Sequence, residues 1–422
     1  MQIQIKNIWK IKNAIINLDW LSVIAWNNDT WKSTVWKLVF SVIKAFQKYK
    51  DFSEISKENI IKKQIDEIYS LWRILFNILR DEKKTDAWTI FKKFKENFYP
   101  DIFLEELENS NNKKEFFNKK KEIILWLLND SYTISRLLEE FEVLEKEFFK
   151  EETKEYLIEK ALNNILESEF KNWLNELKEQ WYFIAKDWEL PLFEIIFKWT
   201  KVQKIKIDDD IIKIQDSVFT ESPIILNFFN DFYSSDKIQY HIKDLFKKIV
   251  SINESKWDRV NWLWKKIEDI IKWTFELRKR IVWFDLSFKK EWIDRKIEPI
   301  NTATGIKSFW VLDLLDQSWN LNKETLLILD EPEVHLHPEW QVKYANLITE
   351  LIKERQISVL ITSHSPYMIE ALSKYSKELK INASFYLSEE NWKWKCVIED
   401  KTEKKYEIFE KLSKPFKELI LK

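Results

Sequence analysis

The chain has 422 residues and nearly balanced charge, 69 Lys+Arg against 70 Asp+Glu for a net of −1. That length can bury a large core in two or three domains, and the charge balance gives no support to a DNA or membrane partner for the chain as a whole. A single cysteine, Cys396, excludes an internal disulfide framework and fits a reducing cytoplasm. No run approaches the ~20 apolar residues of a membrane-spanning helix, and the N-terminus lacks a signal peptide's apolar segment.

Residues 1–48 read as two or three strands, a loop and a helix. The alternating "MQIQIKNIWKIKNAIINLDW" leads into the apolar run Leu21–Ala25, and a helix is predicted from 35 to about 49. Between them lies Trp26-Asn27-Asn28-Asp29-Thr30-Trp31-Lys32-Ser33-Thr34. Residues 49–182 carry helical periodicity, with apolar positions three and four apart and Glu/Lys on the other face, and read as a solvated helical arm. Residues 183–280 begin with short β-like runs, "EIIFKWTKVQKIKI" and "IIKIQDS", and then turn helical from about 229. Residues 281–422 open on another β-like segment. They hold three of the four histidines (His335, His337, His364) together with Pro332, Pro338 and Pro366.

Glycine usage is anomalous. The chain has one glycine, Gly305, against 23 tryptophans, whereas average usage of ~7% predicts roughly 30 glycines. Glycine and tryptophan together come close to that figure. Several tryptophans sit where a turn needs glycine, among them Trp199, Trp392 and Trp394. The sequence reads as a translation in which UGA codons specifying glycine are written as tryptophan. Heavy Ile, Lys, Asn and Phe usage fits an AT-rich genome.

With glycine at 26 and 31 the first loop becomes G-N-N-D-T-G-K-S-T, the spacing of a phosphate-binding loop between strand and helix. Its backbone N–H groups and the helix N-terminus would cradle the β-phosphate. Lys32 would neutralise β/γ oxygens, and the Ser33 hydroxyl would ligate Mg²⁺. A second stretch, "TLLILDEPEVHLHPEWQ", is a buried strand ending in Asp330-Glu331. Asp330 would hold Mg²⁺ and Glu331 would act as general base on water. A third, "ISVLITSHSPYMIEAL", ends its strand before His364, which can contact a γ-phosphate. In "NTATGIKSFWVLDLL", Thr304-Gly305 would open a helix whose N-terminus binds a phosphate from a second subunit. Taken singly, each strand end also reads as ordinary structure. A zinc site at His335, His337 and His364 is set aside, because no cysteine or fourth ligand is near.

These four stretches, in this order, resemble the ABC/SMC-like AAA ATPases, specifically the OLD-like bacterial ATP-binding proteins. "DEPEVHLHPEWQ" and "TSHSPYMIEAL" carry the resemblance, with "ATGIKSF" as a variant signature and "LSVIAWNNDTWKST" as the Walker A segment. The resemblance implies an α/β fold: an ABC-type P-loop NTPase head of mixed sheet and helices, formed by 1–48 and 281–422. It has a helical insertion over 49–182, and 183–280 completes insertion or head. It also implies ATP and Mg²⁺ as ligands and homodimerisation through ATP-sandwiched heads. Phage defence or DNA processing with a separately encoded nuclease would be the use of that switch. Trp340 fits as a true tryptophan and Trp310 as a written glycine. A lid-loop glutamine cannot be placed, and too little chain follows His364 for a TOPRIM nuclease. A transporter ATPase subunit, a DNA-tethering SMC-like protein and a non-hydrolysing module with true Trp26 and Trp31 remain alternatives.

Overall fold

The computed structural model describes residues 1–8, 10–25, 32–81, 87–127, 131–149, 153–171, 180–198, 201–208, 212–228, 238–251, 262–279, 284–290, 292–293, 295–390 and 395–420. The chain divides into two compact units, Met1–Gln47 with Ile158–Lys422, and Lys48–Leu157. In order the elements are β1 (Gln2–Ile8), β2 (Ile11–Asn17), β3 (Leu21–Ala25), α1 (Lys32–Asp81), α2 (Ala87–Phe98), α3 (Pro100–Asn109), α4 (Lys113–Leu127), α5 (Ser131–Phe149) and α6 (Lys154–Phe170). There follow β4 (Gln180–Asp187), β5 (Leu190–Lys198), β6 (Lys201–Ile207), β7 (Asp216–Thr220), α7 (Tyr240–Val250), α8 (Trp262–Ile271), β8 (Trp273–Lys279), β9 (Phe284–Lys290) and α9 (Thr304–Gln317). The last are β10 (Thr325–Asp330), α10 (Pro338–Arg355), β11 (Ser358–Ser363), α11 (Pro366–Glu378), β12 (Ala383–Glu390), β13 (Cys396–Asp400) and α12 (Lys405–Ile420). No described helix is long and apolar enough to cross a membrane.

Two local expectations are corrected. The helix predicted over 35–49 runs on as α1 from Lys32 to Asp81, because no proline or glycine punctuates that stretch. The end of the segment expected to be helical before 280 is strand β8, which pairs antiparallel with β9. Its "WTFELRK" alternates apolar and polar residues, so Phe275 and Leu277 fall on one face and are buried.

Eleven strands form one sheet, ordered β6-β5-β4-β1-β2-β13-β12-β3-β11-β10-β7. The β6-to-β2 half is antiparallel. From β12 to β7 every neighbouring pair is parallel. Parallel strands covered on both faces must be apolar throughout, and accordingly "LSVIA" of β3 and "TLLIL" of β10 are buried along their length. The parallel half has a consequence for chemistry. Strands β3, β11, β10 and β7 all end at the same edge, in register Ala25↔Ser363 and Asp330↔Thr362. The sheet terminates at β6, whose outward lysines Lys201, Lys204 and Lys206 discourage edge-to-edge pairing.

The unit Lys48–Leu157 has its own core. Phe94, Phe98, Phe103, Phe117 and Phe141 pack there with Trp72, Ile65 and Leu144. Lys120 is buried among these rings; its Nζ donates to Glu106 Oε2 at 2.6 Å and to the Asn97 carbonyl at 2.8 Å, and burial lowers its pKa.

Among the described residues three tryptophans adopt a left-handed backbone: Trp20 (φ 55), Trp188 (φ 56) and Trp319 (φ 59). Trp188 opens the two-residue loop between β4 and β5 and has positive φ where Glu189 does not, the geometry of a II′ hairpin whose first central residue is glycine. Trp319 follows the C-cap Ser318 of α9, where an αL glycine normally ends a helix. Each costs a Cβ-bearing residue roughly 1–2 kcal/mol, and the two side chains stand 91% and 72% exposed. Trp36, Trp72 and Trp310 are fully buried with indole N–H groups that find no partner among the described residues, whereas buried indoles ordinarily do. Trp340, by contrast, sits unstrained in α10, edge-on to Phe309 at 5.8 Å.

A buried ionic tetrad ties α1 and α7 to the start of β7. Lys44 Nζ, on a side chain with no exposed surface, lies 2.5 Å from Asp216 Oδ1 and 2.9 Å from Asp244 Oδ2. Lys248 Nζ lies 2.6 Å from Asp216 Oδ2 and donates to the Ser217 carbonyl at 3.0 Å. Burial opposes the charge on Asp216, but the two ammonium groups outweigh it and hold the carboxyl below its ordinary value. Removing one member leaves an uncompensated buried charge. Lys44→Met is therefore expected to cost ~3–5 kcal/mol, measured as a shift of the denaturant midpoint at unchanged slope; a cost under about 1 kcal/mol would show the tetrad to be dispensable.

Candidate active site

The shared edge of β3, β11, β10 and β7 gathers Asp330, Glu331 and His364 of the groups singled out from the sequence. Asp330 ends β10, and its Oδ1 accepts from Thr362 Oγ1 of β11 at 2.5 Å. Glu331 follows with φ 46, and its N–H donates to the Thr362 carbonyl at 3.2 Å and to Thr362 Oγ1 at 3.0 Å. A left-handed non-glycine residue costs of order 1–3 kcal/mol and persists only where neighbours enforce it. Here the two bonds to Thr362 do so, and they set the Glu331 carboxylate at the strand edge. His364 leaves β11 beside it, with Nδ1 3.4 Å from Glu331 Oε1 and 3.4 Å from Glu333 Oε1.

Gly305 brings the start of α9 to the same loop. A Cβ at Gly305 would lie 2.8 Å from the His335 carbonyl oxygen and 3.2 Å from Leu336 Cδ2. Only glycine allows that approach, so Gly305 packs on the loop that carries Glu331 and His335. His337 has a different place: its Nδ1 accepts from the Glu339 N–H at 3.3 Å and caps α10. Of the phosphate-loop residues, Trp26, Asn27, Asn28, Asp29, Thr30 and Trp31 lie outside the described residues. Lys32 and Ser33 begin α1, and Thr34 is buried. The strand that feeds this loop ends at Ala25, the register partner of Ser363, so chain enters the loop next to His364.

No described group of three or more His, Cys, Asp or Glu is arranged to hold a metal on its own. Mg²⁺ does not need one: it is bound through one or two protein oxygens with the rest from phosphate and water. Asp330, a carboxylate at the end of β10, is one such oxygen donor.

Three titratable residues near this edge escaped the sequence reading. Glu333, three residues past Asp330, is buried, and its Oε1 accepts from Ser363 Oγ (2.8 Å), the His364 N–H (2.8 Å) and the Ser365 N–H (3.3 Å). Burial pushes its pKa up against those bonds. The other two are Glu221, just beyond β7, and His241 of α7. Glu221 lines a cavity of about 260 Å³ together with Asp330, Glu331 and His335. His241 is buried, with Nδ1 2.7 Å from Glu169 Oε2 of α6 and Nε2 3.4 Å from Glu221 Oε2. A lone histidine in "YHIKDLF" has no spacing signal that separates it from a core position, and Glu221 lies outside any motif.

Burial pulls the His241 pKa down, but Glu169 and Glu221 outweigh it and leave the value above 6.5. The imidazole also packs on the Phe219 ring at 4.7 Å, with the Phe40 ring edge-on at 6.2 Å. Glu221 is lowered by His241, against burial and with help from Lys37. With the folded pKa above the unfolded one, the stabilisation is complete below the ordinary histidine value and is lost as pH rises through the elevated folded value. The stability difference between the parent and His241→Gln is thus expected to shrink steadily as pH rises from 6.5, measured by denaturant titration. A difference that is flat or grows with pH contradicts the assignment.

The parallel strand order, the acidic end of β10 and the histidine after β11 belong to a mixed α/β sheet whose parallel strands carry their polar groups at one edge. Residues 309–370 match the family described as "AAA domain, putative AbiEii toxin, Type IV TA system". Over 48 residues the chain is 44% identical to Septu protein PtuA of Bacillus thuringiensis, a match covering 11% of this chain and 12% of that protein. Among solved structures it is similar to the SMC head domain from Thermotoga maritima (10% identity, TM-score 0.40, covering 94% of this chain and 97% of that one). It is also similar to an SmcHead bound to the C-winged helix domain of ScpA (7% identity, TM-score 0.41, covering 96% and 98%).

Proposed function

We propose that this protein binds ATP with Mg²⁺ and hydrolyses it, with glycine in place of Trp26 and Trp31. The observation that carries the reading is the convergence of Asp330, Glu331 and His364 on the sheet edge where β3 delivers its loop. Backbone N–H groups of 26–31 and the start of α1 would hold the β-phosphate, and Lys32 would neutralise the β/γ oxygens. Ser33 and Asp330 would hold Mg²⁺, which when bound offsets phosphate charge. Glu331 would take the proton of the attacking water, and His364 would contact the γ-phosphate and orient that water. Thr304-Gly305 of a second subunit would close over the nucleotide, so that ATP joins two heads and hydrolysis reopens them.

The strained Trp20, Trp188 and Trp319 support glycine at those positions as well, and the indole of Trp310, without a hydrogen-bond partner among the described residues, supports it at 310. They are independent of the composition argument, since turn geometry and hydrogen bonding carry them. Coupling of the switch to a separately encoded nuclease, in phage defence or DNA processing, extends the resemblance and is tested by co-purification from the native host. The ATPase reading is tested by phosphate release from the full chain with glycine at 26 and 31. Turnover that requires Mg²⁺ and stops with EDTA is expected; no turnover at millimolar ATP, with or without DNA, would overturn it.

A further inference from the structure

The turn from β11 into α11 is held from outside its own segment. Ser363, His364 and Ser365 direct three donors at one oxygen, Glu333 Oε1, at 2.8, 2.8 and 3.3 Å. Beyond them Ser365 Oγ accepts from the Met368 N–H at 3.4 Å, capping α11, and donates to Gln341 Oε1 of α10 at 2.5 Å. Glu331, two residues before Glu333, is itself held by its N–H on Thr362. The β10–α10 loop and the β11–α11 turn are thus cross-tied twice: once by the Glu331 backbone and once by the Glu333 side chain. Between the two ties lies the His364 ring, 3.4 Å from a carboxylate oxygen of each glutamate.

Glu333 has no opening to solvent through which to act on a ligand: it is 3% exposed, and its second oxygen, Oε2, has no hydrogen-bond partner among the described residues. A buried carboxylate is costly to keep, and the three bonds on Oε1 are what offset that cost. We propose that Glu333 is a positioning residue, which seats the 363–365 turn so that His364 is held against Glu331. The proposal rests on the ATPase reading for its kinetic consequence, but the clamp itself is a property of the nucleotide-free protein.

The chemistry separates position from charge. In Glu333→Gln the amide oxygen can take the place of Oε1 and keep all three donors, and the amide nitrogen falls where Oε2 has no partner. In Glu333→Ala the Ser363 hydroxyl and two backbone N–H groups are left buried and unmet. A reacting group displaced by about 1 Å can cost 10²-fold in rate. In the full chain with glycine at 26 and 31, Glu333→Ala is expected to lower kcat for ATP about 10²-fold with little change in KM. Glu333→Gln recovers most of that loss. Because Glu333 acts through His364, adding Glu333→Ala to His364→Ala should lower kcat no further. Amide hydrogen exchange at His364 and Ser365, measured without nucleotide, should be fast in Glu333→Ala and slow in the parent and in Glu333→Gln.

Equal impairment of the Gln and Ala variants, additive losses in the double variant, or unchanged exchange in Glu333→Ala each overturns the proposal. If the parent turns over no ATP, the ATPase reading fails by itself, and the exchange of the His364 and Ser365 amides still decides the clamp. Should Glu333→Ala not fold, Glu333→Gln and the serine variant Ser363→Ala, which removes one donor alone, carry the same exchange test.

Discussion

Glycine, not tryptophan, is expected at positions 26 and 31 when peptides of the protein from its native host are sequenced by mass spectrometry. The same is expected at 20, 188 and 319, where the backbone is left-handed, and at 310, while position 340 is expected to remain tryptophan. Each recoded site lowers the peptide mass by the difference between an indolylmethyl group and a hydrogen, far beyond measurement error. Tryptophan at 26 and 31 would sink the reading. The functional corollary is large. A phosphate loop works because its backbone N–H groups converge on the anion, which requires close approach and positive φ where glycine stands. Two indoles would occupy phosphate space and bar that backbone. The polypeptide made as written is therefore expected to bind no ATP, and the Trp26→Gly/Trp31→Gly variant to bind it, as followed by titration with a fluorescent ATP analogue. Equal binding by both would contradict the steric argument.

The second large effect is at Glu331. In Glu331→Gln the side chain keeps its volume and its backbone bonds to Thr362, but it can no longer accept a proton. Loss of a general base costs typically 10²–10⁴-fold in rate, so single-turnover hydrolysis should fall by that order while ATP affinity holds. If the two heads are joined by nucleotide, this variant should also accumulate as an ATP-dependent dimer in size-exclusion chromatography. Retention of near-parent turnover would remove Glu331 from the general-base role. Weakened ATP binding in its place would assign it to the ground-state site.

Much of this was legible in the sequence because it is local. The runs "LSVIA", "TLLIL" and "SVLIT" announce buried parallel strands, and Asp330-Glu331 and His364 are visible as the first titratable groups after the latter two. That they meet at one edge follows once those strands are parallel, since parallel neighbours end on the same side. The helix start at Thr304-Gly305 was equally readable, and the 2.8 Å gap above Gly305 explains why that position tolerates no side chain.

Other features had no local signature. Helix α1 was expected to stop near 49 and continues to Asp81, since helix ends are signalled by punctuation that is absent here. β8 was missed because seven residues are too few to separate a two-residue from a 3.6-residue period beside a helix. The lysines Lys44 and Lys248 read as ordinary charged helix residues, although the fold buries both against Asp216.

By itself, the sequence determined the class of fold, the order of its motifs, the acidic and basic groups at the strand ends, and the improbability of 23 tryptophans beside one glycine. Only the tertiary structure decided that Glu333 clamps the turn of His364, that His241 is bridged by Glu169 and Glu221, and which tryptophans are strained. The physical reason is separation. Periodicity and burial are written within a few residues, whereas these contacts join residues 20 to 72 positions apart, and only the tertiary packing brings them within reach of each other.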